Sequence, residues 1–330
     1  MKARLAIWSV LLLTAGCGDG DSSSNSPTRP DPVPSGPTIA CPANVAAPTT
    51  TTTAQVAYPS PTTSGGQIPV TVACTPASGS QFPLGSTSVS CTASDALNRQ
   101  ATCAFTVSVT RLPTLQRTSF LAFGDSVTAG EVTVPTTGST TLDRFPSFKL
   151  VVVSAASYPT QLQAMLRTRY ITQQTALAVT NAGVPGERAT QGVQRFPGVM
   201  SQVRPEVVLL LEGYNDISLL GATGVSQAAA AIETMARDAR ARGARVFIAS
   251  LTPPRSGGRN TLPADQVSSL NTRLRAIATG ENAVFVDLYQ ALVGNITLYI
   301  GVDGLHPTEV GYQRIAETFF SSIQVNLENR

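Results

Sequence analysis

Five apolar runs, at 119–123, 177–181, 206–211, 245–250 and 283–287, alternate with helical patterns at about 158–170, 225–242, 264–279 and 308–325. A strand that is apolar throughout has to be covered on both faces, and strands that alternate with helices are joined by crossovers. The rhythm therefore predicts an α/β region over 119–330, a parallel sheet flanked by helices on both faces. Ligands of such sheets bind outside the carboxyl ends of the strands. The short segments just after each run are thus where chemistry is expected.

Residues 39–110 follow another period. Val70-Thr71-Val72-Ala73-Cys74, Thr87-Ser88-Val89-Ser90-Cys91 and Phe105-Thr106-Val107-Ser108-Val109 alternate apolar and small polar side chains. Ser64-Gly65-Gly66 and Asp95-Ala96-Leu97-Asn98 separate them as turn signals. Several short strands at this spacing predict an all-β sandwich. At 330 residues the chain exceeds the usual size of one domain, so two regions of unlike period fit its length. Residues 111–118 read as the linker between them.

The first 17 residues read as an export signal. Lys2 and Arg4 precede an apolar run from Leu5 to Leu13, which is far shorter than the ~20 residues a membrane span needs. Thr14-Ala15-Gly16-Cys17 resembles a bacterial lipobox, which implies lipid on Cys17, although Thr14 takes the place of the usual bulky residue. An ordinary cleaved signal is the alternative, and under either reading the chain leaves the cytoplasm for the cell envelope or the medium. Residues 18–38, rich in Ser, Asp, Pro and Gly, read as a flexible tether because they lack the apolar surface to offset ordering entropy.

The remaining cysteines, Cys41, Cys74, Cys91 and Cys103, are confined to the all-β segment. In an exported chain an even set of this kind reads as two disulfides. A zinc site is disfavoured, since there is no Cys-x-x-Cys pair and the one histidine is His306. Neither metal nor cofactor is expected. A formal net charge of +3 without a Lys/Arg run gives nucleic-acid binding no support. Arg237, Arg240, Arg242 and Arg245 read as a solvated helix face.

Ile39-Ala40-Cys41-Pro42, Cys74-Thr75-Pro76-Ala77-Ser78-Gly79-Ser80, Phe82-Pro83-Leu84-Gly85 and Val89-Ser90-Cys91-Thr92-Ala93-Ser94-Asp95 resemble a hyalin-repeat (HYR) domain over 39–110. That resemblance implies an immunoglobulin-like extracellular module whose binding partner is unspecified. Four cysteines allow three connectivities, of which the resemblance favours Cys41–Cys103 and Cys74–Cys91.

Four segments follow strand ends in the α/β region. Phe123-Gly124-Asp125-Ser126 would let Ser126 enter a helix at its N-terminus, where developing negative charge is favoured. Asn181-Ala182-Gly183-Val184-Pro185-Gly186 holds two glycines, as a backbone approaching something closely would. Gly213-Tyr214-Asn215-Asp216 offers an amide donor. Asp303-Gly304-Leu305-His306-Pro307 carries the sole histidine, so any Ser–His chemistry must use it. A serine nucleophile needs a base near neutrality, and that base needs a carboxylate to fix its tautomer. Taken singly, each has a plainer reading: a helix cap for Ser126, an Asx-turn for Asn215, a structural His306.

In this order and spacing the four segments resemble the SGNH (GDSL-type) hydrolases over nearly all of 119–330. The resemblance implies a flavodoxin-like three-layer α/β/α fold and a serine esterase. By position it makes Ser126 the nucleophile, with Asp303 and His306 completing the triad. It makes Ser126, Gly186 and Asn215 the oxyanion donors. Val127 stands where Leu more often follows the serine, and Pro185 where many members carry a small residue. Gly186 rather than Gly183 follows from the register.

The implied substrates are carboxylic esters: short to medium acyl chains, aryl esters, or acetyl groups on glycans. The insertion 131–157, Thr/Ser/Gly-rich and then apolar, reads either as a wall of the site or as an extra strand. A second class stays open, a surface adhesion or matrix-binding protein with a degenerate hydrolase domain. Contact with a membrane is expected only through lipid on Cys17.

Overall fold

The computed structural model describes residues 35–136 and 147–329. The export signal, Cys17, most of the 18–38 tether and the Thr/Ser/Gly-rich part of the insertion lie outside the described residues. The chain divides into two compact units, one holding Gln55–Phe82 and Ser86–Ser108, the other holding Val109–Arg330, with Ala46–Ala54 and Pro83–Gly85 grouped with the latter.

The first region is built of β1 (Pro37–Ala40), β2 (Val45–Thr49), β3 (Thr53–Val56), β4 (Thr62–Gly65), β5 (Thr71–Thr75), β6 (Ser80–Pro83), β7 (Gly85–Ser94) and β8 (Gln100–Arg111). β7 lies between β8 and β5. Alternation sends Val89, Cys91 and Ala93 of β7 and Phe105 and Val107 of β8 inward, and Tyr58 meets Phe105 edge-on at 4.9 Å. Antiparallel pairing sets Cys74 of β5 directly opposite Cys91 of β7, and the two are bonded. Cys41 is bonded to Cys103.

In the second region β9 (Ser119–Gly124), β12 (Ala178–Gly183), β13 (Val207–Leu211), β14 (Arg245–Ala249) and β15 (Val284–Val286) form one sheet in the order β12-β9-β13-β14-β15. Every pairing in it is parallel. Numbered within this sheet the order is 2-1-3-4-5, the flavodoxin-like order, whose reversal point lies beside β9. Val207 to Leu211 are all buried, as a central strand covered on both faces requires.

The helices are α1 (Ser126–Ala129), α2 (Tyr158–Arg169), α3 (Ala189–Val203), α4 (Tyr214–Leu220), α5 (Ala222–Ala241), α6 (Ala264–Gly280), α7 (Leu288–Leu292), α8 (Ile296–Tyr299) and α9 (Glu309–Leu327). α2 packs on α9, where Tyr158 stacks on Phe319 at 5.1 Å, while α3, α5 and α6 pack in succession. Phe196 of α3 meets Phe123 of β9 edge-on at 5.0 Å. The strand and helix runs legible in the sequence thus give the three-layer domain.

Two expectations are revised. The helix that Ser126 enters is a single turn closed by Gly130, so a long helix dipole is not what sits behind the serine. The insertion forms the antiparallel hairpin β10 (Glu131–Pro135) and β11 (Phe148–Val152), paired to each other and not to the main sheet. Val132 of this hairpin is nonetheless buried in the core.

Candidate active site

Ser126, Gly186 and Asn215 follow the C-terminal ends of β9, β12 and β13, the three strands around the reversal point. His306 reaches them from the turn between α8 and α9. Its Nδ1 lies 2.6 Å from Asp303 Oδ2 and its Nε2 lies 2.9 Å from Ser126 Oγ. An ionised carboxylate only accepts, so in the neutral imidazole Nδ1–H donates to Asp303 and Nε2 is left to accept the serine proton. The structure brings these three residues together, all of them buried.

Asp303 is fixed from several sides. Its Oδ1 accepts the backbone N–H groups of His306 (3.1 Å) and Leu305 (3.3 Å), and its Oδ2 accepts Asn260 Nδ2 at 3.0 Å. Burial works against its charge, but hydrogen bonds from His306 and Asn260 outweigh it and hold the carboxyl below the ordinary range. For His306 burial again opposes the charged form, while hydrogen bonds to Asp303 and Glu131 win and raise it to about 9.

The glycines of the second loop divide the work. A Cβ on Gly183 would lie 2.2 Å from Ala129 N, so this position lets β12 pass against the α1 backbone. Gly186 has φ +77°, meets nothing where a Cβ would stand, and is exposed. Neither the Gly186 N–H nor the Ser126 N–H has a hydrogen-bond acceptor among the described residues. Asn215 Nδ2 donates to Glu187 O at 2.8 Å, leaving its second amide hydrogen free for another acceptor. The loop is tied to the serine strand by Val184 N donating to Gly124 O at 2.9 Å. Arg195 clamps it from below, pairing with Glu187, reaching Ala182 O at 3.0 Å and lying 4.1 Å over the Phe123 ring.

Beneath the site sits a group of carboxyls. Asp125 accepts Val127 N at 3.0 Å through Oδ1, while its buried Oδ2 has no hydrogen-bond partner among the described residues. Burial pushes Asp125 up to about 7. Both oxygens of buried Glu212 lack a partner among the described residues, and burial, reinforced by Asp125, Glu187 and Asp216, pushes its carboxyl well above the usual range. Asp216 accepts Ala189 N at 2.7 Å and so holds the start of α3.

Sequence reasoning missed Glu131, Asn260 and Arg195. Glu131 Oε2 stands 3.3 Å from His306 Nε2. Its one sequence signal is an acid placed directly after the Ser126 segment, at the head of the insertion. Asn260 carries no local signal, since Asp303 is 43 residues away, and Arg195 reads as an ordinary exposed position of a helix that the pattern does not reveal.

Residues 122–314, more than half of the chain, match the GDSL-like Lipase/Acylhydrolase family, and residues 33–109 match the HYR domain. Esterase TesA of Pseudomonas aeruginosa is 26% identical over 164 residues, which are 49% of this chain and 77% of that protein. A lipase/acylhydrolase structure from Enterococcus faecalis superposes with a TM-score of 0.50 at 22% identity, covering 64% of this chain and 97% of that one. At that identity the likeness bears on the fold alone. Two disulfides and an HYR domain mark an exported protein. The chain belongs to the GDSL-like lipase/acylhydrolase family and is a carboxylic ester hydrolase joined to an HYR domain.

Proposed function

We propose that hydrolysis runs through an acyl-enzyme on Ser126, with His306 as base and Asp303 as its orienting carboxylate. The observation that carries this reading is the unbroken relay Asp303–His306–Ser126, 2.6 and 2.9 Å long. Ser126 Oγ attacks the ester carbonyl while its proton passes to His306 Nε2. The carbonyl oxygen becomes an oxyanion held by the N–H groups of Ser126 and Gly186 and the free amide hydrogen of Asn215. The C–O bond then breaks, Nε2 returns the proton to the departing alcohol, and the acyl group stays on Ser126. Water attacks next, giving its proton to Nε2, and the acid leaves as Ser126 recovers its hydrogen.

The substrates proposed are short to medium acyl esters, aryl esters or acetyl groups on glycans. The hairpin β10–β11 starts at Glu131 beside His306, Thr133 lies against Gly301 and Arg259 sits 5.4 Å over the Phe148 ring, which supports the hairpin as a wall of the site. We also propose residues 39–110 and 119–330 as the functional domains, with 111–118 as linker. Lipid on Cys17, tethering the chain to the cell envelope through residues 18–38, completes the reading. An activated-ester panel of graded acyl length tests it, with Ser126→Ala as control. Turnover that peaks at short to medium chains and vanishes in the variant is expected. Undiminished turnover in Ser126→Ala overturns the assignment.

A further inference from the structure

His306 Nε2 faces two oxygens. Ser126 Oγ lies at 2.9 Å and Glu131 Oε2 at 3.3 Å. The first is the hydroxyl of the proposed nucleophile, and the acyl-transfer cycle has no use for the second. Glu131 is not a stray surface acid. Its side chain is only 15% exposed, and Tyr312 Oη donates to its backbone carbonyl at 2.6 Å, which fixes the residue at the root of the hairpin.

The two oxygens suit different states of the imidazole. Neutral His306, with Nδ1–H given to Asp303, presents a lone pair at Nε2. That lone pair accepts from Ser126 and gains nothing from a carboxylate. Once the proton has moved from Ser126 Oγ to Nε2, the ring carries a positive charge between two carboxylates, and the new N–H has an acceptor in Glu131. The charged groups acting on this imidazole are Asp303 from its own turn, Glu131 from β10 and, through its charge, Asp125 from the β9–α1 junction. Of the carboxyls, only Asp303 and Glu131 touch the ring within 4 Å among the described residues.

We propose that Glu131 is a positioning residue for the hydrolysis, a second carboxylate that holds the protonated ring of His306 from the side opposite Asp303. The proposal rests on the assignment of His306 as base. No atoms are gained or lost by it: the proton goes from Ser126 Oγ to Nε2 and on to the leaving alcohol, and Glu131 only accepts a hydrogen bond meanwhile. The arrangement also sets the working range. A proton held more tightly keeps His306 unavailable as base until higher pH, so Glu131 displaces activity towards alkaline conditions.

The single histidine makes this directly observable. In the tag-free full-length chain, the imidazole ¹³C and ¹⁵N resonances of His306 report its titration without any substrate. Glu131→Gln keeps the shape and removes the charge, and the Tyr312 bond to the backbone is unaffected. The titration midpoint is expected to fall by about one pH unit or more, in line with loss of an adjacent opposite charge. The acid limb of kcat/KM should fall by the same amount with KM unchanged. Glu131→Asp, which draws the charge back by one methylene, should lie between and serves if the amide does not fold. A midpoint unmoved in both variants, or a changed KM with an unmoved midpoint, overturns the proposal. If esters are not turned over at all, the resonance shift still decides the role of Glu131 separately.

Discussion

Each region of the molecule buries an aspartate at a turn, and the two are treated in opposite ways. Asp95, between β7 and β8, accepts from the backbone N–H groups of Gln67, Leu97 and Arg99 and from Arg99 Nε. Burial opposes its charge, but those bonds prevail and lower it to about 2. Asp125, between β9 and α1, has one backbone donor, leaves Oδ2 without a hydrogen-bond partner among the described residues, and is pushed up to about 7. The saturated carboxylate of Asp95 shapes its turn. A starved one next to Ser126, with Glu212 in the same condition, marks the place where the fold gives up stability for a site. The small region compensates differently, with two covalent bridges where its core is thin.

The contrast predicts that damage to the α/β region appears in catalysis and damage to the β region in stability. Ser126→Ala or His306→Ala should lower kcat by on the order of 10⁶, as removal of one member of such a relay does, and the melt of Ser126→Ala should stay nearly unchanged. Asp303→Asn should lower it by about 10⁴, because the tautomer of His306 is no longer fixed. Asn215→Ala should lose ~10²–10³ through the missing oxyanion donor. Steady-state kinetics beside thermal melts check all three. Cys74→Ser with Cys91→Ser opens a loop spanning 17 residues. By loop entropy it should destabilise the β region by about 3 kcal/mol, leaving kcat/KM alone. A large fall in activity there would break the separation drawn above.

The smallest effect is in pH. Asp95, lowered to about 2, adds stability that is present above its unfolded value near 4 and is lost as pH falls through 2. His306, raised to about 9, adds stability present below its unfolded value near 6.5 and lost as pH rises through 9. Asp125, raised rather than lowered, removes stability as pH climbs from about 4 to 7. Melts of Asp95→Asn should therefore differ from wild type in their acid-side slope, and those of His306→Ala in their alkaline-side slope. Activity runs the other way: kcat/KM should rise towards pH 9 as His306 loses its proton.

Much of this was legible in the residues. Val207–Leu211 announced a central strand because a strand covered on both faces leaves no polar positions. The Ser126 and His306 segments were legible because the chain has one histidine. Helix α3 was not, since Gly192, Pro197 and Gly198 interrupt its pattern and the helix rests on packing of Phe196 and Met200. The length of α1 was hidden too, because Gly130 ends it by backbone conformation (φ +98°). Glu131 and Asn260 act across long sequence separations, and nothing local distinguishes them from surface residues. Pairings of that kind emerge only when the strand ends are brought together.

Labelling with a fluorophosphonate, located by peptide mass spectrometry, tests the central claim most directly. One adduct is expected, on Ser126, formed at a rate that follows deprotonation of His306 and is lost in His306→Ala. An adduct on another serine, or full ester turnover in a chain that Ser126 modification leaves active, would contradict the account.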